Sequence, residues 1–178
     1  ARPAVVSPVR RRASEDDVRG PWALYREGLR HRENKMWPEA IAVFQNCVAL
    51  DANHGEAWYE LGYALDEHNG AKSSEAQIEA YQRCIALDPK HAIAHNNLGS
   101  VLMDVRKDYD GAEKMFRKAI ELDPKFAYAC WNLSDLFEKK NDIPGAIEFT
   151  EKYIQAGNPD NDGGQELARL RRKLEGST

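Results

Sequence analysis

One short segment repeats along this chain. It reads Ile85-Ala86-Leu87-Asp88-Pro89, and near-copies occur at Val48-Ala49-Leu50-Asp51-Ala52 and Ile120-Glu121-Leu122-Asp123-Pro124. The three aspartates stand at 51, 88 and 123, so they are separated by 37 and 35 residues. A period in the mid-thirties indicates stacked copies of one supersecondary unit.

Each period predicts two helices that cross closely. The first half carries a small residue at its eighth position: Gly28, Gly62, Gly99 and Ser134. The second half carries an aromatic residue at a matching place in three periods: Phe44, Tyr81 and Phe116. Small residues at a crossing let two helices approach, and apolar residues spaced i, i+3, i+4, i+7 bury one stripe of each helix. Asp-Pro ends the second helix, because the residue before proline is pushed out of the α region.

Composition limits the class of protein. The 178 residues are 42% hydrophobic and 30% charged, which suits one globular domain. The net charge of −4 argues against nucleic acid as a partner. The sequence has no run of roughly 18 apolar residues, so membrane insertion is not expected. Three cysteines, Cys47, Cys84 and Cys130, lack paired or metal-type spacing. They predict free thiols in a reducing intracellular compartment, with Cys47 and Cys84 buried in the core.

Motifs for catalysis are absent from the sequence. It contains no glycine-rich phosphate loop, no GxSxG elbow and no HExxH pair. His54 and His91 fall at the boundaries between periods and are interpreted as structural rather than metal-binding. The sequence therefore predicts a protein that is not an enzyme and needs no metal or cofactor.

The repeated positions resemble the tetratricopeptide repeat (TPR) family, whose unit is a helix–turn–helix of about 34 residues. In the second unit the matching residues are Trp58, Leu61, Gly62, Leu65, Tyr81, Cys84 and Pro89. In the third they are Leu98, Gly99, Leu102, Ala112, Phe116, Ala119 and Pro124. The resemblance implies an all-α fold, a right-handed α-solenoid of four such units with a C-terminal capping helix.

The expected domain organisation follows from this resemblance. An extended or flexible basic N-terminal arm covers residues 1–20, and the four units cover 21–54, 55–91, 92–126 and 127–160. Extra residues in the third unit are expected in the turn near 106–108. The capping helix covers 161–178, with Leu167, Leu170 and Leu174 on one face.

In this family the first helix of each unit lines a concave groove, and its second, fifth, sixth and ninth positions contact ligands. Carried over to this chain, the predicted peptide-binding groove comprises Tyr25, Tyr59, Glu60, Tyr63, Asn96, Asn97, Ser100, Tyr128, Trp131, Asn132 and Asp135. Trp131 and Asn132 are expected to be exposed.

The chemistry of these residues predicts the kind of partner. Asn97 and Asn132 share one position in successive units, and amides can pair with the backbone of an extended peptide. Co-chaperones of this family clamp an acidic C-terminal tail with Lys, Asn and Arg, but those positions here read Tyr25, Leu29, Glu60, Ile93 and Asn97. An acidic chaperone tail is therefore not expected, and a basic or aromatic segment suits the groove better.

Two functions remain open on the sequence alone. The first is a protein-interaction scaffold or adaptor that holds an extended peptide segment in the groove. The alternative is a structural subunit or assembly factor of a larger complex, such as an organellar one, held by the convex face and the arm.

The N-terminal arm supports three hypotheses. Residues 1–14 contain four arginines and no acids, so the arm could dock on the acidic repeats of its own chain or a neighbour. Arg11-Arg12-Ala13-Ser14 resembles a basophilic kinase site, which makes Ser14 a candidate for phosphorylation. The start at Ala1 without Met indicates a processed or shortened chain, and the arm resembles the end of a transit peptide. A cytoplasmic location and a chloroplast or mitochondrial one are thus both open.

Overall fold

The computed structural model describes residues 20–69, 75–157, 160 and 162–176, which contain helices and no strand. The helices are α1 (Pro21–Glu33), α2 (Trp37–Leu50), α3 (Gly55–Asn69), α4 (Glu75–Leu87), α5 (Ala92–Val101), α6 (Tyr109–Leu122), α7 (Ala127–Lys139), α8 (Ile143–Gln155) and α9 (Gly163–Glu175). A π-helical turn, Leu102–Arg106, continues α5. The N-terminal arm up to residue 19, with Ser14, lies outside the described residues.

The helices form four hairpins that stack in series. The hairpins are α1–α2, α3–α4, α5–α6 and α7–α8, and each second helix also packs on the first helix of the next hairpin. Helix α1 contacts α3, and α5 contacts α7, so the first helices form an inner layer. The prediction of a right-handed α-solenoid with a C-terminal capping helix is confirmed.

The crossing within each of the first three hairpins depends on a glycine against a ring. A Cβ atom at Gly62 would lie 2.7 Å from the Tyr81 ring, and one at Gly99 would lie 2.6 Å from the Phe116 ring. A Cβ atom at Gly28 would overlap the Phe44 ring in the same way. Since real Cβ atoms do not come this close, a larger residue would push the helices apart.

The fourth hairpin uses hydroxyl groups at the same crossing. Ser134 Oγ lies 2.7 Å from Thr150 Oγ1, and both oxygens lie within 3.0 Å of the Ala146 carbonyl oxygen. Both side chains are buried. A small polar pair has thus replaced the glycine and the aromatic ring, which explains why the sequence of this unit departs from the others.

Recurrent polar residues organise the turns between hairpins. The Oδ1 atoms of Asp51, Asp88 and Asp123 each accept a hydrogen bond of 3.0 Å from the backbone N–H two residues further on. This Asx turn explains why aspartate marks the end of each period. His54 and His91 cap the helices that follow, because their Nδ1 atoms accept from the N–H groups of Ala57 and Ala94 at 3.2 and 3.1 Å.

The extra residues of the third unit are accommodated partly inside the helix. The π-helical turn is followed by Lys107, whose φ of 54° is left-handed, and the Asp108 N–H donates to the Leu102 carbonyl at 2.9 Å. A π turn adds a residue per turn without breaking the helix. The sequence predicted this insertion in the turn near 106–108. In the structure the irregular segment begins earlier, at Leu102.

The core confirms the prediction that Cys47 and Cys84 are buried. Cys47 and Cys84 are fully buried, and Cys130 is nearly so. Burial raises the pKa of Cys84 to about 12, so this thiol stays protonated at neutral pH.

The capping helix α9 packs on α8. Its Leu170 is fully buried and belongs to a cluster with Leu133, Leu136 and Phe149. Leu174, predicted on the same face, is 37% exposed, because it lies in the last turn of the helix. Of these two leucines, Leu170 therefore makes the larger apolar contact between the capping helix and the last hairpin.

The described ranges contain neither a membrane-spanning helix nor a metal-binding cluster. None of their helices combines the length and the apolar character needed to cross a membrane. No group of three or more His, Cys, Asp or Glu side chains in those ranges could hold a metal ion.

Candidate binding groove

The inner helices α1, α3, α5 and α7 carry all the predicted groove residues. Tyr128 is 46% exposed, whereas Glu60 and Asn96 are only 5% and 7% exposed. The others are half-buried: Tyr25, Tyr59, Tyr63, Asn97, Ser100, Trp131, Asn132 and Asp135. The expectation that Trp131 and Asn132 are exposed is wrong, because the Trp131 ring lies 5.1 Å from Tyr153 and Asn132 bonds to the neighbouring helix.

Tyrosines of the first two inner helices pack against the histidine caps with their rings tilted. The ring of Tyr25 lies 4.7 Å from that of His54, and Tyr59 lies 4.7 Å from His91. Each histidine thus joins the start of one inner helix to the tyrosine of the helix before it. The sequence placed these histidines at boundaries, but it did not show this repeated contact.

We call the first part of the inner surface, formed by α1, α3 and Trp37 at the start of α2, the aromatic half. The rings of Tyr59 and Tyr63 are stacked at 6.5 Å, and Trp37 meets Tyr63 edge-on at 6.1 Å. These three rings line a cavity of about 580 Å³ that is bounded by charged side chains at the end of α1, in the α1–α2 turn and in α3. Trp37 was not predicted to take part, because it belongs to a second helix.

An ion pair crosses the aromatic half. Arg32 Nη1 lies 2.6 Å from Glu60 Oε1, and the side chains are 33% and 6% exposed. Burial raises the pKa of Glu60, while the Arg32 charge acts in the opposite direction. Burial, assisted by the charge of Glu60, raises the pKa of Tyr59 to about 12. The second oxygen of this carboxylate, Oε2, is buried without a hydrogen-bond partner.

We call the inner surface of α5 and α7 the amide half. Asn132 Nδ2 donates to Asn96 Oδ1 at 2.8 Å and lies 3.4 Å from Ser100 Oγ. Asn96 Nδ2 donates to Asn97 Oδ1 at 3.3 Å, and Asn97 Nδ2 donates to the Tyr81 hydroxyl at 3.4 Å. These bonds orient the amides and leave Asn132 Oδ1 without a donor among the described residues.

The far end of the groove is closed by α9. Arg169 binds both Glu138 and Glu166, and Lys173 Nζ lies 2.8 Å from Glu138 Oε1. Hydrogen bonds from Arg169 and Lys173, against a smaller effect of burial, lower the pKa of Glu138 to about 2. Two adjoining cavities of about 330 and 320 Å³ share Trp131, Glu166 and Arg169.

A stack of helical hairpins with a polar and aromatic inner surface defines an α-solenoid of the protein-interaction class. Tetratricopeptide repeat models match residues 25–83, 74–125 and 106–174. The chain belongs to the tetratricopeptide repeat family, whose members are in general non-enzymatic scaffolds, and it is a protein-interaction scaffold.

Solved structures share this fold. MamA is 26% identical with a TM-score of 0.73, over 82% of this chain and 83% of that one. PilF of Pseudomonas aeruginosa is 21% identical with a TM-score of 0.73, over 87% and 69%. YrrB, described as a TPR protein with an unusual peptide-binding site, is 24% identical with a TM-score of 0.74, over 86% and 76%. No curated protein matches the sequence.

Proposed function

We propose that this scaffold binds an extended peptide segment, basic or aromatic in character, along the concave groove. The observation that carries the proposal is the amide half. Asn132 is fixed by its donated bonds to Asn96 and Ser100, so its free Oδ1 presents an oriented acceptor to a ligand. A backbone N–H of an extended peptide is the donor that suits it.

The charges of the groove favour a basic segment. Glu60, Asp135 and Glu138 are paired with Arg32, Lys139 and Arg169, so they contribute little net attraction. Glu67 lines the cavity of the aromatic half, Glu56 lies in the first turn of α3, and Asp104 lies in the π-helical turn after α5. All three are exposed and have no ion-pair partner among the described residues. The case against an acidic tail therefore rests on these three carboxylates and not on Glu60, from which the sequence argued.

The aromatic side chains supply the apolar contact. Tyr128 is 46% exposed at the start of α7, and the half-buried Trp131 lines both cavities near α9. Rings bury a large area for a small loss of side-chain entropy, which is why they dominate many interfaces.

A displayed library of random heptapeptides, panned against the full chain, tests the proposal. We expect enrichment of Arg, Lys and aromatic residues. Asn132→Ala should weaken a selected peptide by about five- to tenfold, as expected for one hydrogen bond, while Asn46→Ala on the exposed outer side of α2 should leave it unchanged. Enrichment of Asp and Glu, or equal binding by the two variants, would contradict the proposal.

A second function is favoured by one edge of the solenoid, where the inner helices begin and the outer helices end. Large apolar side chains are exposed there: Trp22 at 65%, Leu50 at 63%, Ile93 at 46%, Tyr128 at 46% and Leu87 at 41%. Such an edge suits a structural subunit or assembly factor of a larger complex. If this function holds, Leu50→Ser with Leu87→Ser should remove co-purifying proteins while peptide binding stays intact; if the same proteins remain, the second function is wrong.

A further inference from the structure

The aromatic half contains a cavity that the peptide proposal does not explain by itself. It opens between the α1–α2 turn and α3 and has a volume of about 580 Å³, enough for a long side chain. Its apolar wall consists of Trp37, Tyr59 and Tyr63. The Tyr59 and Tyr63 planes differ by 19°, and Trp37 meets Tyr63 at 80°.

Aromatic faces carry a negative quadrupole that attracts cations. An arrangement of one edge-on pair and one stacked pair presents ring faces in more than one direction. A flat cation can therefore stack on one ring while its edge meets another. An apolar side chain would fill the same space without using this electrostatic feature.

The charges around the cavity also favour a cation. Glu33 and Glu67 line it, and neither forms an ion pair with any described residue. Arg32 also lines the cavity, but the Glu60 carboxylate, 2.6 Å away, neutralises the charge of its guanidinium. Lys35 is the remaining cation of the lining. The lining alone holds two carboxylates and two cations. Glu60, which lies outside the lining, neutralises Arg32, so the balance of the whole group is one negative charge.

Glu60 is outside the lining of the cavity but places a further negative charge next to Tyr59 and Arg32, which do line it. It follows Tyr59 in the chain, its side chain is 6% exposed, and its Oε2 atom is buried without a partner. Its negative charge adds to the effect of burial in raising the pKa of Tyr59. At Tyr63 burial and then Glu67, by its charge and a hydrogen bond, raise the pKa, and Glu60 adds a smaller effect. The cavity thus combines ring faces with a negative potential.

We infer that this cavity binds an arginine side chain of the peptide held in the groove. The inference rests on the proposed function and adds a side-chain preference to it. A guanidinium is planar, weakly hydrated and able to donate two parallel hydrogen bonds to one carboxylate. It can stack on the rings while it donates to Glu67 or Glu33, whereas the ammonium of lysine is a point charge that keeps its water more strongly.

The test uses two peptides that differ only in charge, acetyl-Ala-Ala-Arg-Ala-Ala-amide and the same peptide with citrulline in place of arginine. Their binding to the full chain is followed by NMR through the indole N–H signal of Trp37. We expect the arginine peptide to shift this signal and to bind at least tenfold more tightly. Equal affinity for the two peptides, or a Trp37 signal that does not move, would overturn the inference.

Matched variants locate the charge. Glu67→Gln keeps the shape of the side chain and should weaken the arginine peptide about three- to tenfold without changing the citrulline peptide. Glu79→Gln, on the exposed side of α4, is the control and should change neither. An equal loss in both variants would show a general charge effect and would contradict a specific site.

Two further outcomes separate this inference from its alternatives. In the first, the peptides selected from the library still need Asn132 for binding while the arginine and citrulline peptides bind with equal affinity. That result would support peptide binding in the groove and would contradict an arginine site in the cavity. If the full-length variant with Arg10, Arg11 and Arg12 changed to Ser binds the arginine probe tenfold more tightly than the wild type, the chain's own arm occupies the cavity. That result would overturn the assignment to a partner peptide.

Discussion

The two halves of the inner surface join neighbouring helices by different chemistry. In the aromatic half Arg32 of α1 reaches Glu60 of α3 at 2.6 Å, so the link is an ion pair. In the amide half Asn96 of α5 accepts from Asn132 of α7 at 2.8 Å, so the link is neutral. Both links join successive inner helices. Helix stacking therefore does not require one particular chemistry on this surface, which leaves its side chains available for recognition.

What the two halves share is the crossing beneath them. The Gly62 crossing on Tyr81 and the Gly99 crossing on Phe116 leave nearly the same room, since an added Cβ atom would lie 2.7 and 2.6 Å from the ring. The fold is thus set by positions that face the partner helix within a hairpin. Variants can separate this shared frame from the surface that differs.

The largest effect should come from removing α9, which supports only the amide half. Deleting 163–178 removes the fully buried Leu170, worth roughly 1.5–3 kcal/mol, and uncovers the cluster around Leu133. We expect the melting temperature to fall by about 5–10 °C. Hydrogen exchange should rise in α7 and α8 much more than in α1 to α4. An unchanged melting temperature would contradict the capping role.

Next in size, Gly62→Ala and Gly99→Ala should destabilise the chain by similar amounts, about 1–3 kcal/mol each, because the new methyl group meets a ring. Gly164→Ala is the control, since nothing lies within 4 Å of its Cβ position. Urea denaturation gives the three values. A large difference between the first two would show that the halves do not share one frame.

Breaking the ion pair between Arg32 and Glu60 should reduce the free energy of unfolding by a somewhat smaller amount. Arg32→Leu leaves Glu60 buried without its cation, and we expect a loss of about 2 kcal/mol at pH 7, below the value for a fully buried pair because Arg32 is 33% exposed. Burial raises the pKa of Glu60 in the folded chain above its value in the unfolded chain. The stability contributed by protonated Glu60 is therefore fully present below the unfolded pKa and is lost as pH rises through the folded pKa. The loss should therefore be smaller at pH 4 than at pH 7.

Adding Glu60→Gln to Arg32→Leu provides the matched test of this pair. The double variant should recover part of the stability at pH 7, because no charge is left buried. A loss that does not depend on pH, with no recovery in the double variant, would mean that Arg32 acts by packing alone.

The smallest effect is expected in the amide half. Asn132→Ala should cost about 1 kcal/mol, the usual net value of a hydrogen bond. Because Asn96, Ser100 and Asn132 do not titrate, the cost should be the same at pH 4 and pH 7. A pH-dependent cost would remove the proposed distinction between the halves.

The sequence predicts the frame well and the surface less well. Repeated residues such as Gly62, Tyr81 and Asp88 act within one hairpin or turn, so their spacing along the chain reflects their contacts directly. The link from Arg32 to Glu60 joins two hairpins, and it depends on how far one inner helix is displaced along the next. Periodicity assigns a residue to a helix face but does not give that displacement.

The same limit explains other residues of the candidate site. Trp37 was missed because only first helices were expected to line the groove. Glu60 and Asn96 were assigned to the right face, but their burial depends on partners in neighbouring helices. The recurrence of histidine at 54 and 91, directly before α3 and α5, was the one signal of these contacts in the sequence.

The most direct measurement is amide NMR mapping of the full chain with a peptide selected from the library. We predict that shifted signals fall on α1, α3, α5 and α7, in both halves of the groove, and spare the outward sides of α2, α4 and α6. Shifts concentrated on those outer helices, with Tyr59, Asn97 and Trp131 unaffected, would show that the binding surface lies elsewhere.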